Sequence, residues 1–402
     1  MGAPTAHAFD TSFRPEVELL LSCADTSIDT KRAERIRRLL RIDLDWDYLL
    51  QTAGQHGVLP LLSRNLRLIS PTGVPQTILE QLHHHFRTNA ARNLFMTDEL
   101  LKLLKLLEAH AIPVLPYKGP LLTASIYGNL ALRDFADLDL LVHERDYPRT
   151  QRLLRTSGYR PMNTFEWEST YVDEHCNVIV DLHQRISPRE LPSPLQFQDL
   201  WARRRQTVLL GTTVCTLSPE DSLIMVAVQM TKDAGTAYLQ LARVCDMSRL
   251  LRAYPDLDLI GVVRRANELG GERMVLFSLC LAHTLLGTPL PPPIVQEAHT
   301  QPAIHHLVDF ARQRLFDREE RDADNQRSID QFRWLARERL RDKLHPYYLR
   351  YIYNTFVPCS LDRQLVPLPQ RFAFLYYGIR PIRLLCKYSL LLFRGRLGTK
   401  MS

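Results

Sequence analysis

Arg133-Asp134-Phe135-Ala136-Asp137-Leu138-Asp139-Leu140-Leu141-Val142 is the stretch whose reading decides the fold. From Asp137 onward, Leu138, Leu140 and Val142 alternate with Asp137 and Asp139, so an extended strand sets both carboxylates on one face and the aliphatic side chains on the other. Neighbouring carboxylates repel and must be desolvated together. A fold tolerates them when a cation lies between them, most simply a divalent metal. Ionised oxygen ligands suit hard ions, Mg²⁺ or Mn²⁺, which keep several waters and are completed by substrate phosphates. Val178-Ile179-Val180-Asp181-Leu182-His183 repeats the pattern, with Val180 and Leu182 on one side and Ile179, Asp181 and His183 on the other. Asp137, Asp139 and Asp181 are therefore the expected converging acids.

Upstream, Val114-Leu115-Pro116-Tyr117 reads as a short strand leading into Lys118-Gly119-Pro120. Glycine allows close backbone approach, and proline fits the first turn of a helix, expected from Leu121 to Tyr127 with its N-terminus aimed at a phosphate. A further helix from Tyr147 to Thr156 closes at Ser157-Gly158. Phe165 to Val172 and Val178 to Ile186 form an expected hairpin about Asp173 to Asn177. A zinc site built from His175, Cys176, Asp181 and His183 is the rival reading, but His175 and Cys176 are consecutive in a tight turn and point apart.

These segments resemble the nucleotidyltransferases of the DNA polymerase beta-like superfamily, and within it a bacterial branch of nucleotidyltransferases. The resemblance rests on Lys118-Gly119, Tyr127-Gly128, Arg133 to Val142, Gly158-Tyr159 and Asp181-Leu182-His183. A looser likeness runs from Ala53-Gly54-Gln55-His56-Gly57-Val58-Leu59-Pro60 to Tyr377-Gly378-Ile379-Arg380-Pro381. The looser likeness carries no chemistry; the motif resemblance implies that Asp137 and Asp139 hold two metals and that Asp181 completes the second site and helps activate an incoming hydroxyl. In such a site one ion acidifies the attacking oxygen while the other neutralises the phosphates, roughly 3.5 to 4 Å away.

One departure matters. The wider superfamily has Gly-Ser after the first strand, where this chain has Lys118-Gly119-Pro120, so Lys118 or backbone amides must take the triphosphate. Arg133 has two readings, a phosphate contact or a salt bridge to Asp134 or a ligand carboxylate. His183 likewise either touches a phosphate or the base or fills a hydrogen-bonded structural place. The resemblance also implies a C-terminal helical bundle closing over the nucleotide, with Lys232, Arg243 and Asp246 facing it. The implied activity is transfer of a nucleoside monophosphate from a nucleoside triphosphate, ATP first among them, to an acceptor hydroxyl. The acceptor stays open among a small molecule, a peptide or protein, and a tRNA 3′ end. The rival class is a catalytically silent interaction protein on the same scaffold, tethered to a membrane or complex through its basic tail.

Composition sets the bounds. At 402 residues, 45% hydrophobic and 24% charged, the chain is ordinary for a globular protein of one large core or several smaller ones. Seven widely spaced cysteines without a Cys-x-x-Cys pair fit reduced thiols in the cytoplasm. The N-terminus lacks a signal-peptide pattern, Ala6 breaks a myristoylation motif, and no apolar run reaches the roughly 18 to 20 residues of a membrane span. The net charge of +7 comes from the tail, where Arg371, Arg380, Arg383, Lys387, Arg394, Arg396 and Lys400 stand with no acid among them. Aromatic and aliphatic residues interleave with these cations, so residues 371–400 suit an anionic membrane, an RNA backbone or the apolar core of the protein itself. The balanced charge elsewhere gives little support to a polymer-binding groove.

Apolar spacing predicts helices over Val17–Leu21, Ile36–Leu44, Leu49–Leu68 with a break at Pro60, and Leu94–Leu107. His83-His84-His85 falls on a solvated helix face, since consecutive helical residues cannot chelate together. Ser187 to Pro194 reads as a linker, and Val208 to Leu217 as a second hairpin about Gly211-Thr212. Ser218-Pro219-Glu220-Asp221 opens the C-terminal helices, expected at Leu223–Met230, Tyr238–Leu251, 303–316 and 328–344, with Asp317 to Asp324 exposed. The fold class expected is α+β and mostly helical, with a small mixed sheet between helical regions. Its segments are an N-terminal helical region 1–110, a catalytic core 111–217, a helical bundle 218–345 and a basic amphipathic tail 346–402.

Overall fold

A computed structural model describes residues 13–187, 195–236, 238–316, 326–340, 342–344, 355, 374–378 and 380–384. The chain forms two compact units, 1–338 and 339–402. Of the second, a short helical stretch within 376–384 is described, with Tyr376 buried and Ile382 exposed. The linker at 188–194, the charged run 317–324 and most of the basic tail 371–400 lie outside the described residues.

The first unit is α+β and mostly helical, as expected. Its N-terminal helices are α1 (Pro15–Cys23), α2 (Thr30–Leu39), α3 (Trp46–Gln55), α4 (Leu59–Ile69) and α5 (Gln76–Ala109). The expected break at Pro60 falls earlier: Gly57 turns the chain at φ +67°, and Pro60 instead occupies the first turn of α4, where its missing N–H costs nothing. Helix α5, at 34 residues, is about 50 Å long and begins well before Leu94. Its N-terminal Ile78 and Leu82 belong to the large helical core, and Met96, Leu100, Leu103 and Leu107 pack under the sheet.

The sheet is built from β1 (Val114–Pro116), β2 (Asp137–Val142), β3 (Tyr159–Thr164), β4 (Glu168–Asp173) and β5 (Ile179–His183), in the order β1-β2-β5-β4-β3. Strand β2 runs parallel to β5 and antiparallel to β1, and β5-β4-β3 continue antiparallel, so the sheet is mixed. Helices α6 (Gly119–Tyr127) and α7 (Tyr147–Thr156) connect β1 to β2 and β2 to β3. One sheet face carries Leu138, Leu140, Val142, Tyr171, Val180 and Leu182 into a core with α5 and Leu154 of α7. The other face carries the acids. Strand β3 has no counterpart in the sequence reading, because Arg160 to Thr164 are all exposed and show no alternation of apolar and polar residues.

After helix α8 (Phe197–Arg203), the hairpin of β6 (Arg205–Leu209) and β7 (Thr212–Thr216) stands as a separate two-stranded sheet. Its turn holds Leu210 at φ +47° and Gly211 at φ +79°, the paired left-handed residues of a tight hairpin. Helices α9 (Pro219–Ala234), α10 (Leu241–Ala253), α11 (Leu259–Leu269), α12 (Glu272–Leu286), α13 (Pro292–Thr300) and α14 (Pro302–Phe316) follow. The Ser218 hydroxyl caps α9 by accepting from the Asp221 N–H, as its sequence implies. Residues 259–286, unassigned from sequence, form α11 and the almost wholly buried α12, whose apolar residues lie too far around the helix to leave one stripe. Leu19, Leu20, Leu61 and Leu66 share one apolar core with Leu223, Met247, Phe277 and Leu307, so the N-terminal and C-terminal helical regions are packed as one body.

Candidate active site

Parallel pairing of β2 with β5 sets Asp139 opposite Asp181 and Leu141 opposite His183. The period of two then places Asp137, Asp139, Asp181 and His183 on one face. The antiparallel partner β4 adds Thr170 opposite Asp181 and Glu168 opposite His183. Glu168 is a fourth carboxylate that sequence reading missed; its only signal is its place in a strand whose register with β5 the sequence does not fix.

Asp139 lies at the centre, with its side chain 2% exposed. Its Oδ1 accepts from Lys118 Nζ at 2.7 Å and faces His183 Nε2 at 3.1 Å. On the other side of the imidazole, Glu168 Oε2 stands 3.2 Å from Nδ1, within ion-pair reach though out of line for a hydrogen bond. Tyr117 lies edge-on to the His183 ring at 5.4 Å, and its buried hydroxyl has no hydrogen-bond partner among the described residues.

The electrostatics separate the acids. Burial opposes ionisation of Asp139, but the Lys118 ammonium and the His183 hydrogen bond outweigh it and hold the carboxyl far below the usual range. Asp137 is pushed up, first by the charge of Asp139 and then by burial, against the opposing charges of Lys118, Arg243 and Arg133. Asp181 is pushed up by burial and by both other aspartates, with a hydrogen bond from Thr170 opposing the rise. Three mutually repelling carboxylates thus stand on one face.

Lys118 and Gly119 stand at the start of α6, whose N-terminus has no side-chain cap. Gly119 adopts φ +51°, and a Cβ there would lie 3.2 Å from the Asp137 carbonyl oxygen, so both the turn and its approach to β2 require glycine.

Arg133 has a different partner from those expected. It is 5% exposed, and its Nε donates to Asp246 Oδ1 at 2.9 Å while Nη2 donates to Oδ2 at 3.0 Å. Tyr127 Oη donates to the same carboxylate at 3.1 Å. The two residues satisfy each other inside the protein, tying the loop before β2 to α10. Asp134 pairs with Arg92 of α5 instead. Arg243 of α10 is a quarter exposed, pairs with Asp233 at 3.3 Å and acts electrostatically on Asp137. Lys232 lies half-buried in the last turn of α9, with no ion pair among the described residues.

The residues present fit a divalent cation. Asp139 Oδ2 and Asp181 Oδ1 are buried and have no hydrogen-bond partner among the described residues, the condition of an oxygen left for a metal. Asp139, Asp181 and His183 each offer a ligand atom within 4.8 Å of the others. Asp137 lies one pleat along β2, outside that tight group, so the structure adds His183 to the expected acids. Cys176 and His175 do not join them: their backbone N–H groups cap Asp173 in the β4-β5 turn.

A mixed sheet bearing paired acids beside a Lys-Gly turn, backed by a helical bundle, is the arrangement the sequence resemblance implied. The chain belongs to the family described as uncharacterised nucleotidyltransferase, whose model matches residues 43–287 and so spans α3 to α12, acids and bundle together. No curated protein and no solved structure matches it.

Proposed function

We propose that the protein moves a nucleoside monophosphate from a nucleoside triphosphate, ATP first, to an acceptor hydroxyl and releases pyrophosphate. The observation that carries this reading is the in-register pair Asp139 and Asp181, with buried unpartnered oxygens beside Lys118. Asp137, Asp139 and Asp181 would hold Mg²⁺ or Mn²⁺. The cation supplies charge neutralisation on the phosphates and acidifies the attacking hydroxyl. In this reading Lys118, paired with Asp139 at 2.7 Å, turns to the triphosphate when a metal takes the carboxylate, and the N-terminus of α6 with Gly119 offers N–H groups to phosphate oxygens. In this reading Arg243, whose charge acts on Asp137, and Lys232 add phosphate contacts from the bundle. Arg133 acts from behind, positioning the entry to β2 through Asp246.

The acceptor oxygen attacks the α-phosphorus, an O–P bond forms, the bond to the bridging oxygen of the β-phosphate breaks, and pyrophosphate carries that electron pair away. The hydroxyl proton passes to the Asp181 carboxylate. Asp181, opposite Asp139 on the acid-bearing face, is the carboxylate given this role. The acceptor is a small molecule, a peptide or protein, or a tRNA end, and the reaction is placed in the cytoplasm.

The test incubates the full chain with α-³²P-labelled ATP, GTP, CTP or UTP, Mg²⁺ or Mn²⁺, and cell extract. Label is expected on the protein itself or on an extract component, and is expected to vanish with Asp137→Ala or Asp139→Ala. Absence of transfer with every nucleotide and ion favours the silent interaction protein instead.

A further inference from the structure

We infer that the cation at the acidic face takes a nitrogen ligand, His183 Nε2, and that Glu168 is the positioning carboxylate that orients this imidazole. The site then favours a first-row transition ion such as Mn²⁺ over Mg²⁺. This depends on the nucleotidyltransferase reading only for the presence of a divalent cation.

Three neighbouring strands supply the arrangement. His183, with its side chain 4% exposed, is held between two carboxylates, Asp139 from β2 at 3.1 Å on Nε2 and Glu168 from β4 at 3.2 Å on Nδ1. The Tyr117 ring packs against the imidazole in an edge-to-face arrangement, with centroids 5.4 Å apart. Asp139 Oδ2 and Asp181 Oδ1 are buried and meet no hydrogen-bond donor among the described residues. Asp139, Asp181 and His183 each offer one ligand atom, and these lie within 4.8 Å of one another, a span a single ion bridges. Ligating histidines ordinarily present their second nitrogen to a carboxylate, which fixes the tautomer. A ligating Nε2 must be unprotonated, so the proton sits on Nδ1, the nitrogen that Glu168 faces. Carboxylate oxygens alone suit Mg²⁺, whereas an imidazole nitrogen shifts preference toward transition ions.

The probe is Mn²⁺ alone, added to the full chain without nucleotide and followed by electron paramagnetic resonance. Spin-echo modulation from a directly bonded ¹⁴N is expected in the native protein and is expected to disappear in His183→Gln while Mn²⁺ stays bound. Glu168→Gln is expected to weaken Mn²⁺ binding by about tenfold or more. Mg²⁺ should displace Mn²⁺ more readily from His183→Gln than from the native protein. Mn²⁺ bound through oxygen alone, or ¹⁴N modulation persisting in His183→Gln, overturns the nitrogen ligand and leaves nucleotidyl transfer standing. No Mn²⁺ binding by the native protein overturns the nitrogen ligand, while nucleotidyl transfer is decided by the labelled-nucleotide assay. Circular dichroism checks that each variant folds, and should His183→Gln fail to fold, unchanged Mn²⁺ affinity in Glu168→Gln overturns the inference by itself.

Discussion

Asp137 and Asp139 sit two residues apart on one strand and are held in opposite electrostatic conditions, so amide substitutions at the two positions should act in opposite directions. The carboxyl of Asp139 is depressed in the fold. Its contribution to stability is present above the unfolded value of about 4 and is lost as pH falls through the lower folded value. The carboxyls of Asp137 and Asp181 are raised, so their contribution is present below the unfolded value and lost as pH rises through the folded one. At neutral pH without metal they therefore oppose folding. In chelator at pH 7, Asp137→Asn should raise the melting temperature by a few degrees, an advantage that shrinks toward pH 5. Asp139→Asn should lower stability by roughly 3 to 5 kcal/mol, because Lys118 is left buried without its partner. Calorimetry at two pH values separates these outcomes, and a stabilising Asp139→Asn would contradict the assigned charge states. Gly119→Ala should cost about 1 to 2 kcal/mol for its left-handed backbone and should also slow nucleotide transfer, since its Cβ presses on the β2 carbonyl. Steady-state kinetics beside a denaturant titration tests both effects.

At the scale of elements, the strands carrying Asp137, Asp139 and Asp181 were legible because alternation of acid and aliphatic residues needs no knowledge of neighbours. Their order was not. That β2 lies against β5 is set by a non-local pairing, and so Glu168, whose place depends on the β4-β5 register, left no trace in local sequence. The same limit hid Asn89 and Asn93, two buried asparagines on α5 that donate to the carbonyls of residues 130, 131 and 133 and hold the loop carrying Arg133. The exposed strand β3 was missed because burial, not propensity, writes a pattern. Thr170 gives this scale its prediction. Its hydrogen bond holds the Asp181 carboxyl lower than it would otherwise lie, so Thr170→Val should raise that carboxyl further. Mn²⁺ affinity, which requires the ionised carboxylate, should then begin to fall at higher pH than in the native protein. An unchanged pH profile of Mn²⁺ binding would show that Thr170 does not govern Asp181.

For the molecule as a whole, the Tyr127-Gly128 and Arg133 positions of the family pattern acquire a physical reason: both side chains converge on Asp246 of α10. Asp246 is 1% exposed and lies more than a hundred residues away in sequence. A resemblance that placed these polar residues near the nucleotide could not distinguish a ligand from a buried tie, because both require the same residue types. Asp246→Ala should leave the Arg133 guanidinium buried and unpaired and cost about 3 to 5 kcal/mol, read as a lowered urea midpoint. Unchanged stability would mean that the bundle and the sheet are not joined through this pair. The helical regions were legible as helices, yet their packing into one core was not, since an amphipathic stripe states that a face is buried without naming its partner.

The central claim is that the acids of β2 and β5 share a divalent cation that meets a nucleoside triphosphate at the Lys118-Gly119 turn. Crystals grown with Mn²⁺ and α,β-methylene-ATP test it most directly through the anomalous signal of the metal. The account predicts a manganese peak roughly 2.0 to 2.6 Å from carboxylate oxygens of Asp139 and Asp181, with phosphate oxygens beside Lys118 and the N-terminus of α6. A nucleotide bound elsewhere, or an acidic face without manganese while Lys118 remains on Asp139, would contradict it.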